Sequence, residues 1–412
     1  MNDQHNKSRR QFLKLTAVAG ASAGLSTNTS RADTSGNSAK ETPRVRTYRT
    51  LGRTGLKVSD ISFGSSRLRE GEEALVHHAL DRGINYFDSA YGYTGGASET
   101  VLGKAFKGIR EEVVLVSKVE STASWPASRM MAQLDTSLKR LKTDYIDIYM
   151  CHAVNDIERM TSPEWQSFVE QAKQDGKIRH VGMSGHAGKL IPCLDHALDE
   201  DMVDVVLVSY NFGQDPKFYE RFTQSFNFVA NQPDLPRVLA KAKKNNVGVV
   251  AMKTLMGARL NDMRTFETGG ATFAQAAFRW VLSNPDVDSL VISMTSTEKI
   301  DEFLGASGAG ELAFGDMELM MQYAALNGAS YCKHACNDCA DSCPYGVQIS
   351  DVLRTRMYAK DYEDMDFARR EYAALDCNAS ACLTCDGTPC QSACTHGIEI
   401  NEVCGPTHQM LV

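Results

Sequence analysis

Nine of the twelve cysteines in this 412-residue chain lie between Cys332 and Cys394, in two groups whose spacing suits iron-sulfur chemistry. Cysteine thiolates hold 4Fe-4S clusters, and a run of closely spaced cysteines that ends in Cys-Pro is typical of such sites. The first group has the spacing C-x3-C-x2-C-x3-C-P. Its members are Cys332, Cys336, Cys339 and Cys343. The last fifth of the chain is therefore predicted to carry electrons.

The second group is less regular, with the spacing C-x2-C-x4-C-x3-C, and Thr395 follows it where proline is usual. Its members are Cys382, Cys385, Cys390 and Cys394. Cys377 lies five residues upstream as a spare or substitute ligand. Each group is followed by a similar short segment, Gly-Val-Gln-Ile or Gly-Ile-Glu-Ile, which suggests an internal duplication.

Both groups resemble the ligand run of bacterial ferredoxins, in which the fourth cysteine ligates the other cluster. The resemblance implies one or two 4Fe-4S clusters with crossed ligation. One would be held by Cys332, Cys336, Cys339 and Cys394, and the other by Cys382, Cys385, Cys390 and Cys343. Zinc and a disulfide scaffold remain open alternatives. Cys151, Cys193 and Cys404 lie outside this spacing, and we expect them to be small buried hydrophobic residues.

Four residues with acid-base chemistry follow three successive short apolar runs. Asp88, Lys118 and His152 each stand at the end of one run, and Tyr93 follows the first. A lysine beside an aspartate can lower the pKa of a sheltered tyrosine, which then exchanges a proton with a carbonyl or alcohol oxygen. His152 would orient that oxygen. Individually, the aspartate could be a strand-end cap and the histidine structural, but their matching positions favour a catalytic group.

These residues need a scaffold that gathers strand ends, and eight alternating strand and helix patterns lie between Val45 and about Gly308. The predicted strands span residues 61–64, 85–89, 113–118, 146–152, 179–184, 205–210, 248–253 and 289–293. Six of the intervening helices are predicted at 70–81, 98–106, 128–141, 164–175, 236–245 and 273–283. Eight such units over roughly 260 residues predict an α/β fold, a (β/α)8 TIM barrel. Active-site residues of such barrels lie at the C-terminal ends of the strands, where these four residues are expected. A doubly wound sheet is the runner-up, but the first strand lacks a following G-x-G-x-x-G.

The stretch from Gly83 to Glu99 resembles the D-T-A-x-x-Y-G...S-E segment of the aldo-keto reductases. Similarity continues at residues 116–118, 144–152 and 176–184, and it covers nearly all of residues 46–305. The resemblance implies a catalytic tetrad in which Tyr93 is the general acid, Lys118 tunes it, Asp88 holds the lysine and His152 positions the carbonyl. Tyr91 is a nearby competitor, but its spacing from Asp88 fits the family less well.

The resemblance also implies NADP(H), with altered nicotinamide contacts. Ser184 is kept, but Gly185, Leu207 and Met252 stand where the family has an asparagine, a glutamine and a stacking aromatic residue. Each unpaired buried amide group would cost about 1–3 kcal/mol. The remaining cofactor candidates are Lys253, Gly257 and Arg259 for the pyrophosphate, and Thr295, Ser296 and Lys299 for the adenosine phosphate.

The N-terminus resembles a twin-arginine export signal, with Ser-Arg-Arg-Gln-Phe-Leu-Lys at residues 8–14 and an uncharged stretch at 15–25. The resemblance implies export to the periplasm in the folded state, which suits a protein that receives its clusters in the cytoplasm. The apolar stretch is shorter than the ~20 residues of a membrane span, so no stable span is expected. Small residues at Ser30 and Ala32 predict a mature chain that begins at Asp33.

The predicted organisation is a signal peptide at residues 1–32, a flexible linker at 33–45, a reductase-like barrel at 46–312 and a small, mainly helical ferredoxin-like iron-sulfur domain at 313–412. Residues 1–32 carry five basic residues and one acidic residue, so their removal shifts the formal net charge from −7 to −11. This acidic body argues against nucleic acid and anionic lipid as partners.

We therefore expect an exported oxidoreductase that acts on a small carbonyl or alcohol substrate and exchanges electrons with a redox partner protein. The alternative is a non-catalytic electron-transfer or binding subunit with a degenerate reductase barrel.

Overall fold

The structure is a computed structural model that describes residues 42–186, 189–214, 234–255, 263–267, 270–309, 311–327, 332, 338–360, 365–395 and 397–412. The predicted signal peptide, most of the predicted linker, and Gly257, Arg259 and Cys336 lie outside the described residues. The chain from Pro43 to Val412 forms one compact unit. None of the described helices combines the length and apolar character needed to cross a membrane.

Eight parallel strands close into a barrel. They are β3 (Ile61–Gly64), β4 (Tyr86–Asp88), β5 (Val114–Val119), β6 (Ile146–Cys151), β7 (Ile178–Gly185), β8 (Val205–Ser209), β9 (Gly248–Met252) and β10 (Ser289–Ser293). Around the barrel they follow the order β10-β3-β4-β5-β6-β7-β8-β9. The predicted barrel is thus confirmed, with each strand within two residues of its predicted bounds. The strands are rich in valine, isoleucine and leucine because parallel strands in such a barrel are covered on both faces.

Apolar side chains fill the inside of the barrel, as expected for this fold. The buried members of this inner cluster are Leu51, Val58, Tyr86, Val114, Val116, Ile148, Met150, Val205, Leu207, Val250 and Val291. The barrel is therefore a packed core, and only its rim can take a ligand.

Helices cover the outside of the barrel. They are α1 (Glu73–Asp81), α2 (Ala97–Ala105), α3 (Ala127–Leu141), α4 (Glu158–Thr161), α5 (Pro163–Gln174), α6 (Leu190–Asp199), α7 (Leu235–Lys244), α8 (Phe273–Leu282) and α9 (Thr297–Leu304). Their starts have local causes: Thr272 and Gln275 form a capping box at α8, and Ser162 caps α5 ahead of Pro163. Their apolar faces pack on the strands in one continuous outer core.

A short antiparallel hairpin closes the N-terminal end of the barrel. It consists of β1 (Tyr48–Thr50) and β2 (Lys57–Ser59). Its turn puts Leu51 fully inside, and Gly52, at φ 47°, approaches the start of β9 so closely that a Cβ atom would lie 2.3 Å from the Gly248 nitrogen. The hairpin therefore needs glycine at this position, and it leaves the C-terminal end as the accessible rim.

The described residues after 312 are mainly helical. The helices are α10 (Phe314–Asn327), α11 (Ile349–Lys360), α12 (Met365–Ala373), α13 (Pro389–Ala393) and α14 (Ile400–Leu411). Helix α10 packs into the outer core of the barrel through Leu319, Met320 and Tyr323. The other four share a second apolar core that includes Val352, Tyr372 and Cys404. Gly346 and Gly397, at φ 64° and 65°, make equivalent turns ahead of α11 and α14. This equivalence supports the internal duplication suggested by the sequence.

Candidate active site and cysteine cluster

Lys118 and Asp88 form a buried ion pair at the C-terminal ends of β5 and β4. The Lys118 Nζ atom donates to both carboxylate oxygens of Asp88 at 2.7 Å and to the backbone oxygen of Ser89 at 2.6 Å. Burial raises the pKa of Asp88 and lowers the pKa of Lys118, and the contact between the two opposes both shifts. The three acceptors fix the lysine in one position.

Tyr93 lies beside this pair, in the loop that follows β4. Its ring centre is 5.1 Å from the Lys118 Nζ atom and 5.7 Å from the centre of the His152 ring, which it meets edge to face. Burial, with a smaller contribution from the Asp88 charge, raises the pKa of Tyr93 well above its usual value. The sequence-based expectation of a lowered tyrosine pKa is therefore wrong, because burial outweighs a lysine whose charge Asp88 already balances. Tyr93 keeps its proton at neutral pH.

His152 follows β6, and its position depends on a residue that the sequence analysis missed. The His152 Nδ1 atom lies 3.6 Å from the Glu120 Oε1 atom, at the end of β5. This contact with His152 is the main cause of a lowered Glu120 pKa. Glu120 also packs on Gly92, where a Cβ atom would lie 2.6 Å from its carboxylate oxygen. Glu120 therefore supports both His152 and the loop that carries Tyr93.

Tyr91 is engaged elsewhere, against helix α3. Its ring lies under the Arg140 guanidinium, 4.7 Å from the ring centre, and its backbone oxygen accepts from Arg140 at 2.9 Å. Of the two tyrosines in this loop, Tyr93 is the one whose ring lies between Lys118 and His152.

The positions that the resemblance assigns to a nicotinamide do not fit its amide. The Ser184 hydroxyl already accepts from the Ala153 nitrogen at 2.9 Å, and Leu207 is buried inside the barrel. At Gly185 a Cβ atom would lie 2.6 Å from a methyl carbon of Leu190, which leaves no room for an asparagine. Gly185 and Leu207 therefore offer the amide no hydrogen-bonding side chain, and of these three residues only Ser184 keeps a side-chain donor.

The phosphate candidates are only partly described. Thr295, Ser296 and Lys299 lie between β10 and the first turn of α9, where the Ser296 hydroxyl accepts from the Lys299 nitrogen at 3.2 Å. The start of a helix favours anions, but Glu298 already places an acidic side chain in this turn. Lys253 follows β9 at a φ of 57°. The described contact of Lys253 is with a different part of the chain, at Tyr358.

That contact is made by helix α11, which reaches the barrel rim. The Tyr358 hydroxyl lies 3.5 Å from the Lys253 Nζ atom, and an Arg354 nitrogen lies 3.2 Å from the His186 Nδ1 atom, just after β7. Tyr358 and Glu371 also contribute to the raised pKa of Tyr93. The C-terminal part of the chain therefore helps to form the site at the barrel mouth, which the sequence analysis did not predict.

Four of the predicted cluster ligands converge on one cavity. Apart from apolar and neutral polar side chains, it is lined by Cys343, Cys382, Cys385 and Cys390. Nearby, the Thr395 hydroxyl donates to the Asp338 carboxylate, which brings the neighbour of Cys394 to the neighbour of Cys339. The fourth cysteine of each group thus lies near the other group. No set of three or more His, Cys, Asp or Glu within the described residues is arranged to hold a single metal ion.

The cysteines outside the predicted ligand set differ in their surroundings. No disulfide bond joins the eleven described cysteines to one another. Cys151 and Cys193 are buried in the outer core of the barrel and Cys404 in the C-terminal core, as expected. Cys404 also contacts Cys382. The contact lowers the pKa of Cys382 to about 7 and raises that of Cys404. Cys377 is exposed, with its backbone nitrogen donating to the Gln348 side chain.

Comparison with known proteins agrees with this geometry. Residues 60–269 match the aldo/keto reductase family. The chain is 26% identical to L-galactose dehydrogenase of Arabidopsis thaliana over 68% of this chain and 93% of that protein. It is also 26% identical to L-glyceraldehyde 3-phosphate reductase of Escherichia coli (strain K12), over 66% of this chain and 90% of that protein. The solved structure of aldo-keto reductase AKR11C1 from Bacillus halodurans (holo form) matches with a TM-score of 0.53 at 22% identity, covering 67% and 95% of the two chains.

The chain therefore belongs to the aldo/keto reductase family and is an oxidoreductase with the (β/α)8 barrel of that family.

Proposed function

We propose that the barrel mouth exchanges a proton with the oxygen of a small carbonyl or alcohol substrate. The proposal rests on the position of Tyr93, a half-buried phenol that its raised pKa keeps protonated, beside the Lys118 Nζ atom and the His152 ring. A protonated phenol can donate to a carbonyl oxygen as negative charge develops on it. The reducing direction therefore makes Tyr93 the general acid, and the oxidising direction makes it the base.

The neighbouring residues support this transfer. When Tyr93 gives up its proton, the tyrosinate lies next to the Lys118 cation, which Asp88 and Ser89 hold in place before the reaction begins. Preorganised charge of this kind stabilises a transition state without further reorganisation. His152, supported by Glu120, would donate to the substrate oxygen and orient it.

Small polyhydroxylated aldehydes are the substrate class we propose for this site. The names of the two curated relatives refer to L-galactose, which is such a compound, and to L-glyceraldehyde 3-phosphate, the phosphate ester of another. Reduction of an aldehyde also needs a hydride donor, and NADP(H) is the donor that the family resemblance implies. Gly185 and Leu207 offer no amide partner, so the identity of the hydride donor is the first thing to establish.

We further propose two 4Fe-4S clusters with crossed ligation. The donor set supports this, because thiolates are the ligands that such clusters take and four of them line one cavity. A four-iron cluster binds each thiolate at a separate corner, so its ligands stand further apart than those of one ion. Cys343, Cys382, Cys385 and Cys390 would hold one cluster. Cys332, Cys336, Cys339 and Cys394 would hold the other. The clusters would supply one-electron transfer to or from a redox partner protein.

Export to the periplasm by the twin-arginine pathway remains part of the proposal. It rests on residues 8–14 and on the cluster ligands, since a protein loaded with clusters in the cytoplasm has to cross the membrane folded. Fractionation of cells that produce the full chain, compared with an Arg9→Lys/Arg10→Lys variant, tests it. Periplasmic protein in the parent and cytoplasmic protein in the variant are expected.

A comparison of the two loop tyrosines tests the proposed catalysis. The full chain, purified without oxygen, is assayed with glyceraldehyde and either NADPH or reduced viologen dye as the electron donor. Tyr93→Phe should lower kcat at least about a hundredfold, the size of a general acid-base contribution. Tyr91→Phe, the matched control, should change it less than about threefold, because Tyr91 packs on Arg140. Equal effects of the two substitutions would refute the assignment.

The same assay addresses the alternative function. The altered positions 185, 207 and 252 favour a binding or electron-transfer subunit without catalysis. If the enzyme shows no turnover with NADPH or with reduced viologen dye, while its clusters still accept electrons, that result would favour the alternative.

A further inference from the structure

At the rim of the barrel, two cationic side chains from distant parts of the sequence, Lys253 and Arg354, lie near each other. Lys253 follows β9, whereas Arg354 and Tyr358 lie one turn apart on helix α11. Residues four apart share one face of a helix, so Arg354 and Tyr358 point to the same side. The Tyr358 hydroxyl lies 3.5 Å from the Lys253 Nζ atom.

Lys253 is held in an unfavourable state. Its φ of 57° is a left-handed conformation that is unfavourable for a residue other than glycine. Its backbone oxygen accepts from the Asn211 side chain at 3.2 Å. Backbone strain of this kind is often found at functional sites.

The positive charge of Lys253 is only partly balanced by the groups around it. Burial and the nearby Arg354 lower the pKa of Lys253 to about 7, against weaker opposing contributions from Glu371 and Asp351. Asp351 is already paired with Arg354 at 2.8 Å, and Arg354 also meets His186. The Arg354 Nε atom is buried without a hydrogen-bond partner. Two adjacent cationic groups with unused donors are suited to an anion.

The reacting centre lies close to these groups. Tyr358 contacts Lys253, and both Tyr358 and Glu371 are near enough to Tyr93 to contribute to its raised pKa. A single small molecule can therefore reach from Tyr93 to the cationic pair.

We propose that Lys253, Arg354 and Tyr358 bind an anionic group, a carboxylate or phosphate ester, on the same substrate whose carbonyl carbon is reduced beside Tyr93. The substrate class is thus an aldehyde or ketone with a negative charge a few bonds from the carbonyl. This inference rests on the proposed function, and it makes the C-terminal helix part of the substrate site.

Matched substrate pairs test this selectivity. The pairs are glyceraldehyde 3-phosphate with glyceraldehyde, and 4-oxobutanoate with butanal. Lys253→Met and Arg354→Gln should each raise KM for the anionic member about tenfold or more, the size of a lost charged hydrogen bond. KM for the neutral member should change less than about twofold. Arg356→Gln, on the same helix, is the control and should change neither.

Two results would overturn the proposal. Equal loss for both members of a pair would mean that the residues support the fold and do not recognise charge. A normal KM ratio with weakened NADPH binding, followed by fluorescence, would mean that the anion is a phosphate of the cofactor.

Calorimetry separates this proposal from the catalytic one. In Tyr93→Phe protein, 4-oxobutanoate should still bind at pH 8 and should take up protons, because an anion favours the charged form of Lys253. Titration in two buffers with different ionisation enthalpies measures this uptake, which Lys253→Met should abolish. Binding and uptake in Tyr93→Phe show that the anion site stands even if Tyr93 is not the proton donor. Binding without uptake would count against Lys253 as the partner of the anion.

Discussion

The Lys118 ammonium group contacts both carboxylate oxygens of Asp88 at 2.7 Å, in a place where the lysine has no solvent exposure. Removing either charge from water raises the free energy of the folded state, and the contact between the two charges offsets this desolvation cost. The pair is therefore both a fixed positive charge for Tyr93 and a point at which the barrel is sensitive to substitution.

Lys118→Met should destabilise the protein by about 3–5 kcal/mol, because it leaves the Asp88 carboxylate buried without its partner. Urea unfolding of anaerobically purified protein measures the change. The double variant Lys118→Met/Asp88→Asn should recover part of the loss, since no charge remains to be desolvated. Lys104→Met is the control, because its pair with Glu73 is exposed and should be worth less than about 1 kcal/mol. A loss no larger than the control would contradict the prediction.

Glu120→Gln should lower kcat about tenfold with a smaller change in KM, because His152 loses the charged group that supports its ring. Steady-state kinetics with a neutral aldehyde measures it. Glu111→Gln, at an exposed position ahead of β5, should leave kcat unchanged. An unaltered kcat in Glu120→Gln would show that His152 keeps its position without this contact.

Cys343→Ser and Cys390→Ser should remove the same cluster, although the two residues belong to different sequence groups. Iron should fall from about eight atoms per chain to about four in both variants, as expected for loss of one cubane. Cys394→Ser should also halve the iron, but with the electron paramagnetic resonance signal of the other cluster retained. Cys151→Ser, buried in the barrel core, is the control. Different surviving signals in Cys343→Ser and Cys390→Ser would rule out crossed ligation.

Lys253→Met should stabilise the protein, and the gain should depend on pH. The folded pKa of Lys253, about 7, lies below the usual value of 10.5, so the unfolded chain binds more protons between these limits. Burial of the charged Lys253 therefore lowers the unfolding free energy in a pH-dependent way. This loss is absent above the unfolded pKa, grows as the pH falls and is complete below about pH 7. Between pH 9.5 and 7 the gain in unfolding free energy should increase by at least about 1 kcal/mol. Lys360→Met, at an exposed position, should give a flat difference.

Gly185→Asn should destabilise the barrel by about 1–3 kcal/mol, because the new Cβ atom would overlap the Leu190 methyl group. Adding Leu190→Ala makes room, and the double variant should regain stability relative to the sum of the single changes. Thermal unfolding of the four proteins measures the coupling. Additive effects would show that Leu190 is not what closes this position.

Much of the fold was predictable because the spacing of apolar residues and the composition of the strands directly indicate secondary structure. The eight apolar runs from 61–64 to 289–293 became the eight barrel strands. The same strand-end positions brought Asp88, Lys118 and His152 together. The convergence of Cys343 on the cavity of the second group was also expected, because the resemblance to bacterial ferredoxins implies it.

Other features depend on packing between distant segments. The sequence identified Tyr93 and its neighbours but not the depth of the site, and depth determines the direction of its pKa shift. The apolar positions of α11 predict a buried face, yet they do not reveal that Arg354 and Tyr358 meet the rim of the barrel. Cys404 shows no ligand spacing, so its contact with Cys382 could be found only in three dimensions.

The contact of α11 with the barrel also concerns the order of synthesis. Lys253 and His186 leave the ribosome well before Tyr358 and Arg354, so a nascent barrel has its tetrad but an unfinished rim. Only a chain made through its final quarter can complete the mouth. The same segment carries the cysteines, so completion of the proposed substrate site and maturation of the cysteine region both require its synthesis. A truncated chain would thus lack both, which couples the competence of the enzyme to the integrity of its C-terminus.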